Sequence, residues 1–188
     1  MISAKKISYF ESVIKFNFND KNNLLKSLTH PSIEKIKKNK IILNDFERLE
    51  FLGDRILGLI IANLIFKKFK NNNEGELSKK LSYLVQKDFL YKIALKIEID
   101  KILEYSCIKN DFRMNKSILA DSVESLIAGI FIDSGYKATI KFINYIWGPF
   151  LDTDESNEQD AKTELQELSQ RIKKVLPKNK NNKISHQS

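Results

Sequence analysis

Besides Asp45, three acids punctuate the stretch NDFERLEFLGDRILGLIIANLIF, residues 44–66: Glu47, Glu50 and Asp54. In a helix these positions stand at i, i+3 and i+7 and stack on one face. Leu49, Phe51, Leu52, Ile56 and Leu57 cover much of the remaining surface, and Arg48 and Arg55 lie off the acid line. Like charges at this spacing repel by roughly 0.2–0.5 kcal/mol per exposed pair, and by more when desolvated. Asn44 with Glu47 three residues later has capping-box spacing, and an acid in a first turn suits the helix dipole. Glu47 therefore has a structural explanation, whereas Glu50 and Asp54 have none. A second pair, Asp121 and Glu124, interrupts ILADSVESLIAGIFI among Leu119, Val123, Leu126, Ile127, Ile130 and Phe131. A cap at Ser117 would place Asp121 near a first turn, and Glu124 has no such excuse.

Two apolar helices carrying acids suggest that the acid faces meet. Converging carboxylates need a hard cation with oxygen ligands, and Mg²⁺, with Mn²⁺ as a substitute, fits. The alternative is a pair of ordinary solvated stripes on amphipathic helices. One cysteine, Cys107, excludes an intramolecular disulfide, and with only His30 and His186 a zinc or other histidine-based cluster has too few ligands.

Helical periodicity runs through the elements that must position these acids, and strand alternation does not. Ile7, Phe10, Val13 and Ile14 mark a first amphipathic helix, broken by FNFND. Asp20 caps a second with Leu24, Leu25 and Leu28, ending at Pro31. A lysine-rich loop over 33–43 leads into the long acid-bearing helix, which reaches about Phe69. A polar turn around Gly75 precedes helices from Glu76 to Gln86 and from Asp88 to Ile97, and residues 98–116 are less regular. Asn115 or Ser117 starts the second acidic helix, which Gly135 closes. A further helix ends at Gly148 and Pro149. The expected architecture is all-α: one domain over 1–150, an acidic linker over 151–160, and a last helix from about Ala161 to Val175 with a basic tail.

The 188 residues carry a net charge of +8, with 42% apolar and 30% charged side chains. Six glycines and three prolines favour long helices over a turn-rich β fold. No acid follows Glu167, while Arg171, Lys173, Lys174, Lys178, Lys180 and Lys183 do, so these six supply most of the excess charge. Such a tail points to an anionic partner such as nucleic acid, or simply to solubilisation. No apolar leader segment and no run of ~20 apolar residues is present, so no membrane association is expected and the cytoplasm is the default.

These motifs resemble the ribonuclease III family. ERLEFLGDRIL (47–57) is similar to its signature. SLTHPS (27–32), EGELS (74–78) and ILADSVESLIAGIFIDSGY (118–136) resemble further family segments, and DAKTELQEL (160–168) resembles the opening of its double-stranded-RNA-binding domain. The resemblance implies an all-helical, homodimeric endonuclease domain. It places Glu50, Asp54, Asp121 and Glu124 as metal ligands, with Asp54 and Glu124 central to catalysis. Glu47 and Glu74 match auxiliary acids of the cleft, and Glu74 would otherwise read as a loop charge. Phe51 matches an aromatic that plugs into the partner subunit, where residue type alone says core. The implied reaction is Mg²⁺-dependent hydrolysis of double-stranded RNA to 5′-phosphate and 3′-hydroxyl ends, in the processing of ribosomal and other structured precursors, without a small-molecule cofactor.

Three features depart from the family pattern. Only the first helix of the RNA-binding domain is represented, as a remnant over 161–188, and Lys173, Lys174, Lys178 and Lys180 are the candidate phosphate contacts there. Arg55 stands where a small residue is usual, and 98–116 lacks the usual glycines. Two other readings stay open: a catalytically silent RNA-binding or ribosome-associated member of the same fold, and a helical interaction protein whose acids are merely solvated.

Overall fold

The computed structural model describes residues 2–36, 45–105 and 112–151. The described elements are α1 (Ala4–Ile14), α2 (Lys21–Ser27), α3 (Asp45–Lys68), α4 (Glu74–Val85), α5 (Lys87–Lys96) and α6 (Phe112–Leu151), with short 3-10 turns at Pro31–Ile36 and Ile99–Lys101. Among the described residues there is no strand, only one isolated parallel bridge between Thr29 and Glu104. The all-α expectation holds.

The core is built on α3 and α6. Phe46, Leu49, Gly53, Ile56, Leu57, Ile60, Ile61 and Ile65 form the buried stripe of α3 at alternating spacings of three and four. On α6 almost every side chain from Ser122 to Ile130 is buried, because this helix packs against α2, α3 and α5 at once. Each fully buried Leu or Ile contributes roughly 1.5–3 kcal/mol. Gly53 lies where α3 meets α6: a Cβ there would fall 1.8 Å from the backbone oxygen of Glu124. The two acid-bearing helices thus touch backbone to backbone.

Local signals explain the smaller elements. Asp20 caps α2 as expected, accepting from Asn22 N at 2.9 Å. The FNFND break is held by two carboxylates: Glu11 Oε1 accepts from Phe18 N at 2.7 Å, and Asp133 accepts from Asn19 N and Asp20 N at 2.9 and 2.8 Å. Trp147 Nε1 donates to the carbonyl of Leu84 at 3.1 Å, satisfying one of the orphan acceptors at the end of α4.

Several boundaries differ from expectation. α4 starts at Glu74 rather than Glu76, because Asn73 and Glu76 form a reciprocal capping box that takes Gly75 into the first turn. α6 starts at Phe112, so Ser117 does not cap it and the first-turn explanation for Asp121 is removed. Gly135, by contrast, breaks the helix at the expected place, with φ 74°, and the next helical segment follows directly. Gly148 and Pro149 lie within helix. Leu151, expected to open the linker, still belongs to α6, and the expected cap at Asn44, the rest of the linker, the last helix and the tail lysines lie outside the described residues.

Candidate metal centre

The acids of α3 border the buried stripe rather than opposing it. Leu49 and Gly53 face α6, so the adjacent Glu50 and Asp54 emerge at the rim of that interface. Asp121 and Glu124 emerge from the α6 side. One carboxylate oxygen each from Glu50, Asp121 and Glu124 lies within 4.8 Å of the others. The structure therefore brings acids of both helices into one group. Glu47, Glu50, Asp54 and Glu124 share the walls of an open cleft of about 680 Å³ with Gln86 and Lys87.

Electrostatics register this crowding. Burial pushes the Glu124 carboxyl up to about 8, and the charges of Asp54, Asp121 and Glu50 add to the effect. Glu50 is raised above the usual carboxylate range, first by burial and then by Asp121, with Glu47 and Asp54 contributing. An all-oxygen donor set whose members resist ionising together fits a hard divalent cation.

The remaining expected residues are placed as follows. Asp54 lies in the cleft but outside the group of three, with Oδ2 turned to Arg55 at 2.9 Å. Arg55 thus acts on a candidate ligand directly. Glu47 is exposed in the first turn of α3. Glu74 opens α4, is exposed, and accepts from Ser78 Oγ at 2.8 Å. Phe51 is 66% exposed, which overturns the reading of it as core. Lys173, Lys174, Lys178 and Lys180 lie outside the described residues.

Sequence reading missed two residues. Gly53 was legible in principle, since glycine inside an apolar helix costs about 1 kcal/mol against alanine and calls for a packing reason. Lys87 lies 3.0 Å from Asp121 Oδ1, an ion pair short of an aligned hydrogen bond, and it donates to Ser117 Oγ at 3.0 Å. Burial alone would lower its pKa. The Asp121 contact and charge, with Glu50 and Glu124, outweigh that and raise it. Its only sequence signal is a base in the first turn of a helix, where the dipole disfavours one.

An all-helical fold that joins acids of two helices in one open cleft defines a candidate metal centre. A family model described as Ribonuclease-III-like matches residues 20–149. Ribonuclease 3 of Pelagibacter ubique is 40% identical over 168 residues, covering 89% of this chain and 72% of its own. Ribonuclease 3 of Allorhizobium ampelinum is 37% identical over 178 residues, covering 94% and 72%. The crystal structure of the nuclease domain of ribonuclease III from Campylobacter jejuni matches with a TM-score of 0.66 at 32% identity, over 80% of this chain and 99% of that one. A second structure of that domain is described by structural flexibility in a region involved in dimer formation, with a TM-score of 0.61, 32% identity and coverage of 76% and 99%. The chain belongs to the ribonuclease III family and is a ribonuclease. Among the described residues, no helix is long and apolar enough to cross a membrane.

Proposed function

We propose that this protein is a divalent-metal-dependent endonuclease that cuts double-stranded RNA. The observation that supports this most strongly is the convergence of Glu50, Asp121 and Glu124 from two helices, within 4.8 Å, in an open cleft. Glu50, Asp121 and Glu124 would hold Mg²⁺ or Mn²⁺, with Asp54 as the next carboxylate. When bound, the metal supplies charge neutralisation at the phosphodiester and activation of water for in-line hydrolysis. The protein's own groups do the rest. The Gly53 contact sets the spacing of the acids. Burial of Glu124 keeps its proton until a cation replaces it. Glu47 and Glu74 are the auxiliary acids, and the products carry 5′-phosphate and 3′-hydroxyl ends.

The substrate class follows from resemblance and geometry together. Two copies related by a twofold axis would present two clefts to the two strands of an A-form duplex. Exposed Phe51 borders an apolar groove lined also by Leu49, Leu52, Gly129 and Ile132, which is a suitable socket for the same side chain of a second copy. Residues 1–150 form the endonuclease domain and 161–188 represent the opening of an RNA-binding domain. Lys173, Lys174, Lys178 and Lys180 would add salt-dependent attraction to phosphates. We assign structured precursors, ribosomal ones included, as substrates met in the cytoplasm.

The test incubates purified protein with long duplex RNA and Mg²⁺, with EDTA and single-stranded RNA as controls. Fragments of the duplex that appear only with metal are expected. Binding without cleavage at every metal concentration would instead assign a silent member of the fold.

A further inference from the structure

Lys87 lines the acid cleft itself, and the proposed reaction does not use it. Its ammonium pairs with Asp121 and donates to Ser117, and it stands in the field of Glu50 and Glu124. It is the first residue of α5, directly after Gln86, whose side chain makes no capping bond. A lysine has the wrong sign for that position, so α5 does not favour it there and the acids do. The lysine side chain is 64% exposed against 15% for Asp121, so the ammonium covers the carboxylate from the solvent side. That is the side from which an ion would enter.

We propose that Lys87 is a tethered counter-cation of the acid cluster that competes with a divalent ion for Asp121. The inference rests on the metal-centre reading above. An ion held by Glu50, Asp121 and Glu124 meets a positive charge already at one of its ligands. Charges of +2 and +1 about 5 Å apart, even with water-like screening, oppose each other enough to weaken metal binding roughly tenfold. Loading the metal therefore requires the lysine to rotate off Asp121 on its flexible four-carbon stem. The displaced ammonium stays at the wall of the same cleft, with the sign that suits an RNA phosphate. Metal entry and lysine release become one exchange. A plain structural tether between α5 and α6 would stabilise the fold without opposing the metal.

The experiment titrates Mn²⁺ into intact wild-type protein, Lys87→Gln and Lys87→Arg without RNA, by calorimetry, after each has shown a cooperative melt. Lys87→Met serves as the neutral variant if Lys87→Gln does not fold. The neutral variant is expected to bind Mn²⁺ about tenfold more tightly than wild type, with Lys87→Arg close to wild type. The gap should narrow in high salt, which a packing effect would not do. Equal or weaker Mn²⁺ binding by the neutral variant overturns the proposal. Absence of Mn²⁺ binding by the wild type would bring down the metal-centre reading itself, a distinct outcome.

Discussion

Gly53 and Glu124 meet backbone to backbone: the space that a side chain would need at Gly53 is filled by the carbonyl of Glu124, 1.8 Å from an ideal Cβ. Asp54 follows Gly53 in the chain, so the contact that sets the helix crossing also sets how close the acids of α3 come to those of α6. Packing and chemistry are one feature here. A methyl group at Gly53 would have to push whole helices apart, since the atom it meets is main chain.

Gly53→Ala is therefore expected to destabilise the protein by about 3 kcal/mol or more, above the usual range for overpacking because no flexible side chain can yield. Gly58 is the internal control. It lies five residues on in the same helix with nothing within 4 Å of its Cβ position. Gly58→Ala should be stabilising by about 0.5–1 kcal/mol through helix propensity alone. Urea unfolding of the two variants checks the contrast, and similar midpoints for both would refute the account of the crossing.

Glu124 makes the metal-free fold sensitive to pH. Its folded pKa is raised from 4.5 to about 8, so the folded state binds a proton that the unfolded state has released. Stability should fall as pH rises from about 4.5 to 8 in EDTA. Glu124→Gln keeps the shape, cannot ionise, and should flatten that slope. At pH 8 without metal the variant should exceed wild type by about 1 kcal/mol or more, a melting-temperature gain of about 2–4 °C. Added Mg²⁺ should raise the wild-type melting temperature by mass action and leave the variant unmoved. Thermal melts at pH 5 and pH 8, with and without metal, read all three effects.

The fold class and the acid faces were legible in the sequence because both rest on spacing. Apolar residues three and four apart can serve only helices, and acids at 47, 50 and 54 must share a face once the helix is granted. Gly135 was legible as a helix break, and its positive φ separates two helical segments that follow each other directly. What was not legible depends on partners distant in sequence. Residue type alone puts Phe51 in the core, yet it is exposed, because it lies off the buried stripe of α3. Lys87 reads as an ordinary surface lysine until α5 carries it to Asp121. The neighbouring Arg55 changes the site in a way that spacing could not show, by drawing Asp54 Oδ2 to itself.

Asp133 supports the fold rather than the chemistry. Its carboxylate accepts from the main chain of Asn19 and Asp20 and from the side chains of Asn23 and Ser134. These bonds outweigh its burial and lower its pKa from 3.8 to about 2. A depressed carboxylate contributes stability that is fully present above its unfolded pKa and lost as pH falls through the folded one. Here the window runs from about pH 4 down to 2. Asp133→Ala should cost about 1–3 kcal/mol at pH 7, the range for hydrogen bonds to a charged group, and should show a shallower acid transition. Guanidinium unfolding at pH 7 and an acid titration followed by circular dichroism would detect both, and an unchanged acid midpoint would count against the role.

Phe51 offers the most direct test of assembly. Its ring is 66% exposed, so removing it takes little from the folded monomer, whereas an aromatic anchor in a partner's socket typically contributes about 2 kcal/mol to association. In the proposed twofold dimer the loss would count twice, because each copy would supply both a ring and a groove. Phe51→Ala should therefore weaken dimerisation by about a thousandfold, with a change of less than about 1 kcal/mol in the stability of the isolated subunit. Ile132→Asp, on the groove side and 54% exposed, should weaken dimerisation comparably by placing a charge where the ring would sit. Sedimentation equilibrium across a concentration series separates the two effects: both variants should shift toward monomer while their monomeric far-ultraviolet spectra match wild type. A dimer constant unchanged in both would remove Phe51 and its groove from the interface and leave the exposed ring needing another explanation.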